Sequence, residues 1–424
     1  MLNIHVAFQA LLLILLLSFT TIATCRFPLI HRPDNYSFEA RMKRDAMRVA
    51  SLTHLLAANE VGDNNFSTDL QYLSEYFAEV GVGTPPQTQT LVIDTGSDML
   101  WVQSQPCDDP SCSPQFDPTN STSFANVGCN DLTCYEVGHS NKGCDNTQSM
   151  CTYEYGYGDG THISGTMAIE NITIGNTIVP NMPIGCTHKA KDLKTGYLAD
   201  GVLGLSGGAL SVVSHSGGMF SYCLGNSTNA GWLEFGRSNI PKDDITWATL
   251  IHSIKYPSFY YIDLVGLSVG GEVLDIPGDT FQMNQETGEG GIILDTGTVV
   301  TRLAEDTYVA LRDKFKEKMV NYAIVDGVSI FDTCYNLNLN TAQVPTVSFN
   351  FLTRGFNPPT ITLEARNVLW EVDIGITYCL AFAPSDESFS IIGNMQQRGI
   401  RITIDAVGGF VGFGSGPCLS SMDP

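Results

Sequence analysis

The chain has 424 residues, more than one compact domain usually holds, so one large or two medium units are expected. Charged residues make up only 16% of it while Gly numbers 41, which suits a β-rich protein with many turns. A net charge of −22 argues against nucleic acid as a partner and suits an acidic medium, where protonated carboxylates bring the charge towards zero.

Residues 1–25 contain the apolar run Ala10 to Leu17 followed by small residues near Ala23, which reads as a secretory signal peptide, although its start carries no Lys or Arg. The run is shorter than the ~20 apolar residues of a membrane span, and the C-terminus has no apolar tail for a lipid anchor. No membrane association is expected once the signal is removed. Residues 26–54 are the one basic stretch, with Arg26, Arg32, Arg41, Lys43, Arg44 and Arg48 against Asp34, Glu39 and Asp45. Phe38 to Leu56 has helix-forming composition, and a polar linker, Asn59 to Asp69, follows. Such a stretch is either a solvated helical tail or a prosegment that docks by charge on an acidic body.

From Glu75 the pattern turns to strands. Tyr76 to Val80 alternates, Gly83-Thr84-Pro85-Pro86 turns, and Gln89 to Ile93 runs into Asp94-Thr95-Gly96-Ser97. The prolines exclude a dinucleotide reading of Gly81-Val82-Gly83. The same device returns 201 residues later, where Ile293-Leu294 runs into Asp295-Thr296-Gly297-Thr298. An Asp at the mouth of an apolar strand is unfavourable to bury unless it is paired or protonated. Two copies facing each other would share one proton and titrate as a pair, one carboxylate taking a proton from water while the other polarises a carbonyl. Gly lets the neighbouring backbone approach, and Thr or Ser can orient the acid by a hydrogen bond.

Between the copies, Cys107 to Cys151 holds six cysteines with little periodicity, a stretch that needs cross-links to hold it. Tyr153 to Thr161 interleaves aromatics and glycines, as a mobile hairpin tip would. Asp200-Gly201-Val202-Leu203-Gly204 and Ser390-Ile391-Ile392-Gly393 repeat as well, their last Gly 110 and 98 residues after Asp94 and Asp295. The unit strand, Asp-Thr-Gly, strands, apolar-apolar-Gly is thus present twice, the mark of a duplicated lobe. After the second aspartate, Tyr308, Leu311, Phe315 and Met319 predict one face of a helix beginning at Glu305-Asp306, with Lys314, Lys316 and Lys318 on a solvated face. Sequons at Asn35, Asn65, Asn120, Asn171 and Asn226 are glycan candidates on a secretory route. No paired Cys spacing suggests zinc, and neither a metal nor an organic cofactor is expected.

These motifs, in this order from about Glu75 to Cys418, resemble the pepsin family of aspartic proteases, in its nepenthesin-type plant branch. The resemblance implies an all-β, bilobal fold with lobes over roughly 75–250 and 251–424, a signal peptide over 1–25, and a prosegment with linker over 26–74 that inhibits its own enzyme. It makes Asp94 and Asp295 catalytic, at the base of a cleft, supported by Thr95, Gly96, Ser97, Thr296, Gly297 and Thr298. Tyr157 and Gly158 fall in the flap, which Trp101 braces. It implies an acid endopeptidase acting on polypeptides, a monomer secreted to the extracellular space (the apoplast) or sorted to the vacuole. It also implies the disulfides Cys112–Cys186, Cys129–Cys151, Cys134–Cys144, Cys223–Cys418 and Cys334–Cys379. The branch usually has a Cys where this chain has Ser104, so Cys107 is expected to lack a partner. Proteins of the same branch that have lost part of the active site and inhibit cell-wall hydrolases are the alternative. A glycosidase with two carboxylates leaves the duplicated turns without a reason.

Overall fold

The computed structural model describes residues 25–31, 42, 45, 49, 76–107, 116–138, 142–156, 162–191, 199–226, 229–236, 245–352, 360–373, 375–385, 389–414 and 418. Strands dominate: a network of 20 strands is flanked by two separate four-stranded sheets. The alternating segment Tyr76–Val82 turns back on Gln87–Asp94 as an antiparallel pair, with Phe77 opposite Val92. Its residues Tyr76, Ala78, Val80 and Val82 enter the main apolar core.

The duplication is visible strand by strand. In the first unit Gln87–Asp94 lies parallel to Gly201–Gly204, which runs antiparallel to Leu100–Gln103, itself parallel to Thr177–Lys191. In the second, Ile292–Leu294 lies parallel to Ser390–Ile392, which runs antiparallel to Thr301–Ala304, itself parallel to Phe382–Ser385. The last glycine of each apolar-apolar-Gly segment is required by space. A Cβ on Gly204 would stand 2.3 Å from the Asp98 carbonyl oxygen, and one on Gly393 would stand 2.6 Å from that of Val299. Ile245–Ile251, Phe410–Gly414, Arg401–Asp405, Met219–Asn226 and Asn229–Phe235 form a continuous antiparallel sheet joining the two units.

Two features depart from the sequence reading. The N-terminal stretch supplies a strand, Cys25–His31, which continues that joining sheet beside Asn229–Phe235 and pairs onward with Tyr76–Val82. It is anchored by buried Phe27 and Leu29, Phe27 stacking on Phe235 at 6.2 Å. Further on, Met42, Asp45 and Val49 are helical and buried. Among the described residues this stretch makes an ion pair through Asp45, which meets Arg302 of the body. Arg32, Arg41, Lys43, Arg44 and Arg48 lie outside the described residues.

The helix expected after the second aspartate spans Glu305–Lys318 and buries Tyr308, Leu311 and Phe315, with buried Met319 as its C-cap. Lys314 and Lys318 reach Glu272 at the surface, as a solvated face would. Among the sequons, Asn120 is exposed and Asn171 is half-buried, while Asn35 and Asn65 and the Asn226 side chain lie outside the described residues.

The cysteine scheme needs correction. Cys223–Cys418 and Cys334–Cys379 form as expected. The inner pairs are Cys129–Cys144 and Cys134–Cys151, not Cys129–Cys151 and Cys134–Cys144. Burial explains the exchange: Cys134 and Cys151 meet in the core around Trp101, whereas Cys129 is half-buried and Cys144 exposed. Cys107 is disulfide-bonded, and the thiol left over is buried Cys186, which is therefore not joined to Cys112. Closing the 195-residue span between Cys223 and Cys418 contributes on the order of 3–5 kcal/mol by the chain-entropy account.

Burial pushes the Cys186 thiol up to about 12, Glu170 adding to the rise and a hydrogen bond with Ser104 opposing it. A protonated, enclosed thiol is inert. Iodoacetamide on the native, unreduced protein is expected to leave Cys186 unmodified and to label it once denaturant is added, by peptide mapping. Label on Cys107 in the unreduced chain would contradict this arrangement.

Candidate active site

Each aspartate sits at the exit of an apolar strand, where the backbone turns at Thr-Gly. Asp94 is 3% exposed and Asp295 is fully buried. Their first contacts are the same in both copies. Asp94 Oδ1 accepts from the Gly96 N–H at 3.0 Å and Oδ2 from the Ser97 hydroxyl at 2.6 Å. Asp295 Oδ1 accepts from the Gly297 N–H at 3.0 Å and Oδ2 from the Thr298 hydroxyl at 2.5 Å. Donors to a carboxylate favour its ionised form and fix which oxygen faces outward.

The two copies are brought together by their threonines. The Thr95 N–H donates to Thr296 Oγ1 at 3.1 Å, and the Thr296 N–H donates to Thr95 Oγ1 at 2.9 Å. Each hydroxyl then donates across to the carbonyl preceding the other aspartate, Thr95 to Leu294 and Thr296 to Ile93, both at 3.1 Å. Both threonines are buried. Sequence reasoning assigned Thr95 and Thr296 a supporting role without this reciprocal exchange.

Supports the sequence did not reveal lie behind the acids. The short helix Asn394–Gln397 follows Gly393. Asn394 Nδ2 donates to the Thr296 carbonyl at 3.1 Å, and Gln397 Nε2 donates to the carbonyls of Asp295 and Ile392 at 3.2 and 2.7 Å. Gln397 Oε1 accepts from the Tyr222 hydroxyl at 2.6 Å. Burial, and then the charge of Asp295, raise that hydroxyl far above the usual tyrosine range, so it remains a donor. On the other side, Asp98 Oδ2 accepts from Ser258 at 2.7 Å and Oδ1 from the Gly208 N–H at 2.9 Å, tying the first unit to the second. Asp98 and Asn394 directly follow a motif, and Tyr222, Gln397 and Ser258 have no signal in the sequence.

Trp101 is buried with Tyr153, Ile163 and Met167 at the root of the hairpin made by Met150–Gly156 and His162–Ile174. Tyr157 and Gly158, which fall between those two strands in the sequence, lie outside the described residues. Among the described residues, no group of three or more His, Cys, Asp or Glu side chains is placed to hold a metal ion, and no helix is long and apolar enough to cross a membrane.

The family described as "Xylanase inhibitor N-terminal" matches residues 76–237, and "Xylanase inhibitor C-terminal" matches 259–415. Protein ASPARTIC PROTEASE IN GUARD CELL 2 of Arabidopsis thaliana is 42% identical over 93% of this chain and 86% of its own length. Aspartic proteinase nepenthesin-1 of Nepenthes gracilis is 34% identical over 82% of this chain and 79% of its own. Among solved structures, that of edgp superposes with a TM-score of 0.67 at 19% identity, covering 81% of this chain and 94% of that one. The soybean Basic 7S globulin gives 0.64 at 18% identity, over 81% and 93%. These structures share the bilobal fold.

The threonine exchange makes a stability prediction. In Thr95→Val the Thr296 N–H loses its acceptor and the Leu294 carbonyl loses a donor, both in the core. Each unmade buried bond costs roughly 1–3 kcal/mol, so urea unfolding should show a loss of about 2–5 kcal/mol. Thr95→Ser keeps the hydroxyl and should stay within about 1.5 kcal/mol of the parent. Equal stability of all three proteins would remove the exchange from its structural role.

Proposed function

The chain belongs to the pepsin-type aspartic protease family with xylanase-inhibitor-like N- and C-terminal domains, and on that premise we propose that it is an endopeptidase hydrolysing internal peptide bonds of polypeptides at acid pH. The observation that carries the proposal is the matched setting of Asp94 and Asp295, each holding a backbone N–H on one oxygen and a hydroxyl on the other. Two carboxylates held at one site share a proton. A water between them loses its proton to the ionised carboxylate and attacks the scissile carbonyl, while the protonated partner donates to the forming oxyanion. Proton transfer returns the pair to its starting state as the amine leaves. Tyr157, between the two strands of the Trp101-rooted hairpin in the sequence, closes over the substrate and keeps bulk water out.

The family descriptions supply the second reading, a non-catalytic protein that binds another enzyme. Retention of both aspartates with all four donors favours catalysis. The apolar run before Cys25 and the sequons support secretion, and the acidic composition suits an acidic compartment. The 26–54 stretch acts as an inhibitory prosegment: its burial of Phe27, Leu29, Met42 and Val49 against the body supports that role.

Asp94→Asn and Asp295→Asn should each lower kcat on a denatured protein at pH 4 by several orders of magnitude while leaving the melting temperature within a few degrees. A statine peptide should block the parent enzyme. Full activity in either variant would overturn the mechanism, and an inactive parent would favour the binding-protein reading. Cutting the chain at a site-specific protease site inserted within 59–69, followed by removal of the released segment, should raise activity at pH 5 by roughly tenfold or more, since a tethered inhibitor acts at about millimolar effective concentration. Equal activity before and after would exclude inhibition.

A further inference from the structure

The buried contact between the N-terminal stretch and the body has the opposite polarity to the composition on either side. Asp45 Oδ2 accepts from Arg302 Nη2 at 2.5 Å, with the two side chains 0% and 6% exposed. Its Oδ1 accepts from the N–H groups of Val299 and Val300 at 2.5 and 3.2 Å. Arg302 Nε has no hydrogen-bond partner. Guanidinium and two converging backbone N–H groups thus make a built carboxylate receptor.

Its place in the fold is decisive. Val299 and Val300 follow Thr298 directly, the residue that orients Asp295. Met42 packs in a cluster with Val299, Val300 and Trp370, and Val49 in another with Tyr261, Ile293 and Ile391. Met42 therefore sits just beyond the second Asp-Thr-Gly-Thr, and Val49 sits against the strand that leads into it. Release of this stretch would leave the Arg302 guanidinium and the Val299 and Val300 N–H groups without the carboxylate they hold, a costly state unless another anion replaces Asp45. Val299, Val300 and Arg302 belong to the body and remain.

We propose that Val299, Val300 and Arg302 form a substrate subsite of the mature enzyme that binds the side-chain carboxylate of an Asp or Glu in the polypeptide, a few residues from the scissile bond, and that Asp45 holds this subsite in the precursor as a substrate mimic. This rests on the protease reading and adds a specificity to it. Arg302 does not touch the reacting atoms, so it acts on choice of substrate. The preference arises because the amide analogue leaves the receptor unpaired.

The test uses the full chain, cut at the inserted 59–69 site and freed of its N-terminal stretch. Cleavage of peptide libraries with amidated C-termini at pH 5, where free carboxyl side chains are ionised, should show one position at which Asp or Glu is preferred over Asn or Gln by about tenfold or more in kcat/KM. Amidation excludes the terminal carboxylate as the source. Arg302→Gln should abolish that preference, lowering kcat/KM for the acidic peptides by about tenfold more than for the neutral ones, and Arg302→Glu should shift it towards Lys or Arg. In parallel, a fluorescent peptide of residues 38–54 should bind the cut parent about tenfold tighter than its Asp45→Asn version. An unchanged cleavage profile in the Arg302 variants, or equal binding of the two peptides, overturns the subsite. A parent that cleaves nothing overturns the protease reading alone, and the binding arm still decides the subsite without any variant having to fold.

Discussion

The molecule depends on one reciprocal exchange, the two backbone N–H groups of Thr95 and Thr296 given to each other's hydroxyls across the interface of two duplicated units. In the open, such bonds would add little, because water offers equal partners. Here both threonines are buried, so an unmade bond would carry the full cost of desolvation. The exchange converts two turns that each unit could form alone into one rigid element. It also sets the separation of the carboxylates through main chain instead of flexible side chains. Asp94 and Asp295 inherit their relation from Ile93 and Leu294, whose carbonyls accept the other half of the exchange.

What the sequence made legible follows from the same fact. An apolar strand ending in Asp-Thr-Gly leaves a short, position-specific mark, and finding it twice with an apolar-apolar-Gly partner was enough to read the duplication and the all-β class. The Glu305–Lys318 helix was equally readable, since its buried face keeps a helical period. Contacts that join distant segments left no mark. Tyr222, Gln397 and Asn394 reach the site through the joining sheet and a four-residue helix, and nothing in their spacing distinguishes them from other polar residues. The cysteines failed for a related reason. Cys144 and Cys151 stand opposite each other in one hairpin, so a choice between them needs depth, and depth is a tertiary property. The buried sulfurs of Cys134 and Cys151 joined, leaving the outer pair to the surface. Strand Cys25–His31 was hidden because it borrows its partners from residues about 50 and 200 positions away.

At the N-terminal stretch the buried ion pair runs against the net charges of stretch and body. Net charge governs attraction at long range, where solvent and salt screen it within about a nanometre. A docked interface is decided instead by which groups lose water, and there one matched pair outweighs many solvated ones. Asp45 is a minority charge in its own stretch, and Arg302 is a minority charge in an acidic body. Their pairing selects one register for the docked helical segment, because Met42 and Val49 on either side must reach separate apolar clusters at the same time.

The most informative part of the duplication is where it breaks. Counted from each aspartate, Asp98 corresponds to Val299 and Trp101 to Arg302. The backbone confirms the equivalence, since Gly204 closes on the Asp98 carbonyl as Gly393 closes on that of Val299. Up to the hydroxyl residue the two copies make the same contacts. Beyond it they part. In the first copy the side chain of Asp98 faces Ser258 and the Gly208 N–H, and Trp101 fills the core beneath the hairpin. In the second copy Val299 and Val300 donate their N–H groups to Asp45, and Arg302 stands where the first copy has its indole. A duplicated lobe that served only to supply a second acid would have no use for a buried guanidinium at that position. The symmetry runs up to Ser97 and Thr298, and the asymmetry begins one residue later, where the second copy holds the Asp45 carboxylate.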